Sequence, residues 1–97
     1  MWEAEIHRLN GDVLRERGEP ALVVAQSYMR AVEVAQRQDA KLLELRAATS
    51  LVRVLEGCDG EESARQRLQS LYDWFTEGFE TADLVDARRV LGPTTTR

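Results

Sequence analysis

Apolar residues fall at Trp2, Ile6, Leu9 and Val13, separated by four, three and four positions, the interval at which side chains return to one face of an α-helix. This spacing predicts a first helix whose core face is that stripe. Gly18 stands where a helix-closing glycine belongs, and Pro20 suits the first turn of the helix that follows. The second helix has a wide stripe of Ala21, Val24, Ala25, Tyr28, Ala31, Val32 and Ala35. Asp39 is placed to cap a third helix, in which Leu42, Leu45, Ala48, Leu51, Val52 and Leu55 recur at helical intervals until Gly57-Cys58-Asp59-Gly60 turns the chain. Asp59 and Glu62 have the spacing of a capping box for a fourth helix carrying Ala64, Leu68, Leu71, Tyr72 and Phe75, with Gly78 as its stop. Thr81 is placed to cap a short fifth helix through Leu84, Ala87 and Leu91, which Gly92-Pro93 ends. No segment alternates polar and apolar residues long enough to form a strand. The expected fold class is all-α, one domain over residues 1–92 with a frayed tail at 93–97.

The helices also repeat. Shifting the chain by 39 residues superposes Ile6 on Leu45, Leu9 on Ala48, Val13 on Val52, Gly18 on Gly57, Ala25 on Ala64, Met29 on Leu68 and Val32 on Leu71. A helix, a glycine turn and a second helix therefore occur twice. A single four-helix bundle would produce similar core spacing, but recurrence of the turn glycine and the small alanines favours two stacked helical hairpins followed by a short capping helix.

Composition adds limits. A 97-residue chain with 43% hydrophobic residues folds as one small domain and has no apolar surface to spare. The net charge of −4 gives no sequence-independent attraction to nucleic acid or to anionic lipid. The longest fully apolar run, Ala21 to Ala25, is too short to span a bilayer, and the acidic start is unlike a signal peptide. Cys58, the single cysteine, has no disulfide partner within the chain, and a cytoplasmic location is expected.

Catalytic chemistry finds little support. His7 is the only histidine, and it lies on a different unit from Cys58, so no nucleophile, base and orienting group assemble. Glu77, Glu80, Asp83 and Asp86 lack the alternating oxygen ligands of a calcium loop, and helix-end electrostatics around Thr81 account for them. No catalytic residue, cofactor or metal is expected. Tyr72, Trp74, Phe75 and Phe79 cannot share one helical face. Either the fifth helix folds back over the whole group or one ring meets a partner; Trp2, Trp74 and Phe79 are the candidate apolar end or cap contacts.

Glu3-Ala4-Glu5-Ile6-His7-Arg8-Leu9 with Gly11, then Gly18-Glu19-Pro20, Ala40-Lys41, Glu44 to Leu51 and above all Tyr72 to Thr81 carry a family likeness. Over residues 3 to 91 the chain resembles the tetratricopeptide-like C-terminal region of large bacterial proteins that join a predicted ATPase to a nucleotide cyclase or a DNA-binding regulatory domain. The 39-residue period exceeds the 34 of simple tetratricopeptide units, and Ala48-Thr49 stands where Leu-Gly would. The resemblance implies the regulatory or scaffolding tail of a longer protein. No phosphate-binding loop lies in the chain, so no activity of those proteins is carried over.

If the hairpins stack as such repeats do, His7, Gly11 and Arg15 of the first helix and Arg46, Ser50 and Arg53 of the third line a concave wall. That wall would be positive and would suit an acidic peptide or a carboxylate terminus. The functional expectation is a non-catalytic protein–protein interaction module. A stand-alone homodimeric adaptor and a small ligand-binding protein are the alternatives, and uncovered end faces predict a weak homodimer.

Overall fold

The computed structural model describes residues 3–75 and 81–92. Five α-helices occur in it: α1 (Glu3–Glu16), α2 (Ala21–Arg37), α3 (Lys41–Leu55), α4 (Glu61–Trp74) and α5 (Ala82–Leu91), with no strand among the described residues. The expected all-α class holds. Trp2, Gly78, Phe79 and the tail from Pro93 lie outside the described residues.

Helices α1 and α2 form one antiparallel hairpin and α3 and α4 a second, with α2 packed on α3, and α5 lies against both helices of the second hairpin. Helices α1 and α4, which would be neighbours in a closed bundle, do not touch, whereas α1 meets α3 and α3 meets α5. The 39-residue shift pairs like environments at the turn glycines and in the second helices, but not along α1 and α3. Gly18 and Gly57 close their helices at φ +78° and +79°, a region that side chains with a Cβ enter only at a cost, and neither would meet a neighbouring atom. Ala25 and Ala64 are both buried, as are Val32 and Leu71.

The core runs through the middle of the stack. Val24, Tyr28, Val32, Leu45, Val52 and Leu68 are fully buried, joined from α5 by Leu84, Ala87 and Leu91. A smaller cluster of Ala4, Val34 and Ala35 closes the other side. Helix α1 departs from its predicted orientation. Its buried residues are Ala4 and Gly11, while Ile6, Leu9 and Val13, the expected core stripe, face outward. Gly11 takes the inner position because α2 comes very close there: a Cβ would sit 2.7 Å from Cε1 of Tyr28.

Three predicted caps also differ. Asp39 does not cap α3; it closes α2 at φ +56°, donating its N–H to Gln36 while the Ala40 N–H reaches back to Ala35. Gly18 ends α1 by the same pair of bonds, so Asp39 occupies a glycine's place, a left-handed conformation that Asp tolerates better than most residues. At α4 the residue before the helix is Gly60 and no side chain caps it. Instead Glu61 accepts the Gly57 N–H at 3.0 Å and the Arg65 Nε at 3.0 Å, and Arg65 donates onward to the Val90 carbonyl at 2.8 Å. The Gly57 N–H, with Arg65 beside it, holds the Glu61 carboxyl below its usual range. Thr81 precedes α5 as expected but makes no side-chain cap bond. Helix α4 stops at Trp74 with Phe75 extended, and Trp74 stays 58% exposed, edge-on to Phe75 and with Lys41 over its ring. Helix α5 therefore does not bury the whole aromatic group.

Candidate functional site

The predicted wall falls where α1, α3 and α5 meet. Arg8, Arg46, Thr49, Ser50, Arg53, Asp83 and Asp86 surround a polar cavity of about 280 Å³. Arg46, Ser50 and Arg53 come together there as the sequence predicts. His7 and Arg15 do not line it: His7 is half-buried on α1, and Arg15 is exposed beside Asp12 and Glu16. Arg8, one residue past His7, supplies the α1 side instead.

This wall is not positive. Arg46 donates from Nε and Nη2 to the two oxygens of Asp83, at 3.2 and 2.8 Å, and from Nη1 to Glu5 at 2.9 Å. Arg8 forks onto Glu5 at 2.8 and 3.2 Å and reaches Asp12 at 3.3 Å. Arg53 and Arg89 lie 3.9 and 3.8 Å from Asp86. Four arginines thus face Glu5, Asp12, Asp83 and Asp86, and the acidic partner expected in trans is supplied by α1 and α5 of the same chain. Hydrogen bonding from Arg8, then the charges of Arg8 and Arg46, holds the Glu5 carboxyl below its ordinary value, and the Asp83 fork raises Arg46. The Tyr28 hydroxyl donates to Asp12, and burial, reinforced by that carboxylate, pushes the phenol up to about 12.

Sequence reasoning missed Glu5, Arg8, Asp83 and Asp86. The three-residue interval from Glu5 to Arg8 and from Asp83 to Asp86 was visible as a shared helix face, but their partners on α3 lie about forty residues away in the chain.

A second surface has a different chemistry. Ile6, Leu9 and Val13 recur along the outer side of α1 at 61%, 51% and 50% exposure. Their equivalents in the second hairpin, Leu45, Ala48 and Val52, are completely buried, because α2 stands in front of α3 and no described helix stands in front of α1. An apolar groove of about 280 Å³, lined by Leu22, Ala25, Met29, Leu51, Leu55 and Ala64 among others, opens between α2, α3 and α4. Cys58 is exposed in its turn, and no group of three or more metal-ligating side chains occurs among the described residues. No described helix is long and apolar enough to cross a membrane. Comparison with protein-family models, with curated proteins and with solved structures gives no match.

Proposed function

We propose that the chain is a non-catalytic protein–protein interaction module of the kind that serves as a regulatory or scaffolding tail, working in the cytoplasm. Its contact surface is the Ile6, Leu9 and Val13 face of α1. One observation supports this reading above others: three large aliphatic side chains lie at least half exposed in line on a helix that already packs its opposite side. Covering such a stripe is favourable by about 25 cal/mol per Å² removed from water, and a 97-residue domain has little other apolar area to offset leaving it wet. The concave cavity is the weaker docking surface, because a trans acidic segment would have to displace carboxylates already forked onto Arg46.

The test compares the wild-type chain with Leu9→Glu as immobilised bait in extract from its native source. Proteins retained by wild type and lost with Leu9→Glu, at an unchanged circular dichroism melt, support the assignment. Identical retained sets for the two baits refute it.

A further inference from the structure

Resting on that reading, we propose that the partner of the α1 face is a second copy of this chain, paired helix to helix, antiparallel, about a two-fold axis beside Asn10. Two features of the molecule lead there. The first is the distribution of apolar surface between its ends. The far end, where α4 meets α5, presents Glu62, Arg65, Gln66 and Gln69 around a half-buried Val90 and a buried Leu91, and Trp74 is the only large hydrophobic residue exposed on those two helices. A head-to-tail stack would press the stripe onto these polar groups, whereas an isologous contact matches the stripe with itself.

The second feature is the charge pattern on the edges of the stripe. At about 100° per residue, Glu3, Asn10 and Arg17 fall on one edge of α1, and the Arg17 N–H still bonds to the Val13 carbonyl, so that residue keeps its place on the helix. A two-fold axis that makes two helices antiparallel brings like edges together. Centred on residue 10, it sets Glu3 against the partner's Arg17, Asn10 against the partner's Asn10, and Arg17 against the partner's Glu3, because residues 3 and 17 are equidistant from the centre. In the same register Ile6 meets the partner's Val13, and the two Leu9 side chains meet each other. Glu3 and Arg17 are both exposed, and neither is held in an ion pair among the described residues. On the opposite edge Glu5 and Asp12 are already neutralised by Arg8 and Arg46, leaving only Glu16 to be tolerated. A stripe of three aliphatic residues falls short of the roughly 800 Å² per partner of a standard interface, so the dimer is weak.

Sedimentation of the whole chain from about 5 to about 500 µM tests the pairing. The weight-average mass should rise from 11.0 kDa and level off at twice that value. Leu9→Glu, and the milder Val13→Ser, should remain monomeric with an unchanged far-ultraviolet spectrum, since both side chains are at least half exposed. Glu3→Arg alone and Arg17→Glu alone should each weaken dimerisation about tenfold, and the double substitution should restore it. A wild-type chain that stays monomeric overturns the proposal. So does growth past the dimer, which would place the stripe in the groove between α2, α3 and α4, and so does a charge-swapped double variant no tighter than the singles. A monomer whose bait still retains another protein through Leu9 sinks self-pairing while leaving the interaction module standing; a monomer without such retention sinks both.

Discussion

Replacing Gly11 with alanine tests the close approach of α1 and α2 directly. The added Cβ would lie 2.7 Å from Cε1 and 2.9 Å from Cδ1 of Tyr28, whereas carbon atoms in contact rest about 3.5–4.0 Å apart. The ring would have to withdraw by roughly 1 Å, but it is fully buried and its hydroxyl is held by Asp12. Overpacking of this kind costs about 1–3 kcal/mol. Against it stands a gain of about 1 kcal/mol, because alanine is the better residue inside a helix. The net expectation is a loss of about 1 kcal/mol, or about 4–8 °C in Tm for a domain of this size. Urea or thermal denaturation followed by circular dichroism reads it. The decisive control is Tyr28→Leu, which removes the obstructing ring; in that background Gly11→Ala should stabilise by about 1 kcal/mol, so the sign reverses. Stabilisation by Gly11→Ala in the wild-type chain, or the same sign in both backgrounds, would refute the steric reasoning.

Other expectations follow from the ion pairs and turns. Arg46→Met strands Asp83 and leaves Glu5 to Arg8 alone, and should cost about 1–2 kcal/mol, moderated by the partial exposure of the three groups, as read by urea denaturation. Because folding lowers the Glu5 pKa, its contribution is complete above the ordinary carboxylate value of 4.5 and fades as pH falls through the lowered one; Glu5→Gln should therefore flatten the acid limb of a Tm-against-pH curve. Tyr28 works in the opposite sense. Its folded pKa is raised, so its contribution is intact below about 10 and is lost as pH rises through about 12, and Tyr28→Phe should shift the alkaline unfolding limb upward in pH. Asp39→Gly should leave stability unchanged or raise it by up to about 1 kcal/mol, whereas Asp39→Ala should lower it by about 1 kcal/mol, since only the backbone angle is at issue.

Much of the fold was legible because second-helix positions such as Val32, Ala35 and Leu68 are buried between helices on two sides, and a wide stripe at helical spacing marks that buried face. The turn glycines were legible for a local reason, a backbone angle that needs no knowledge of the rest of the chain. Helix α1 was misread because periodicity reports that a face is apolar and not what stands opposite it. Its inner face is marked by small residues, Ala4 and Gly11, whose value lies in the room they leave for Tyr28. Asp39 was misread since a carboxylate before a helix and a residue closing the previous one occupy nearly the same sequence position when the link is short. In the cavity, Arg46, Ser50 and Arg53 followed from the repeat register, but their neutralisation did not: Asp83 reaches Arg46 across 37 positions, and no local rule pairs residues so far apart.

Stacked hairpins ordinarily behave as a one-dimensional chain, each unit sensing only the next. Here the Arg46 guanidinium breaks that simplicity. It grips α1 through Glu5 and α5 through Asp83, two helices that do not otherwise touch, and so adds a next-nearest-neighbour coupling to the stack. Fraying at the C-terminal end is thereby felt at the N-terminal helix through one side chain of α3. A molecule of this kind should melt in one step where an uncoupled stack of the same length would peel from its ends, and the α1 face should tighten or loosen with the seating of α5.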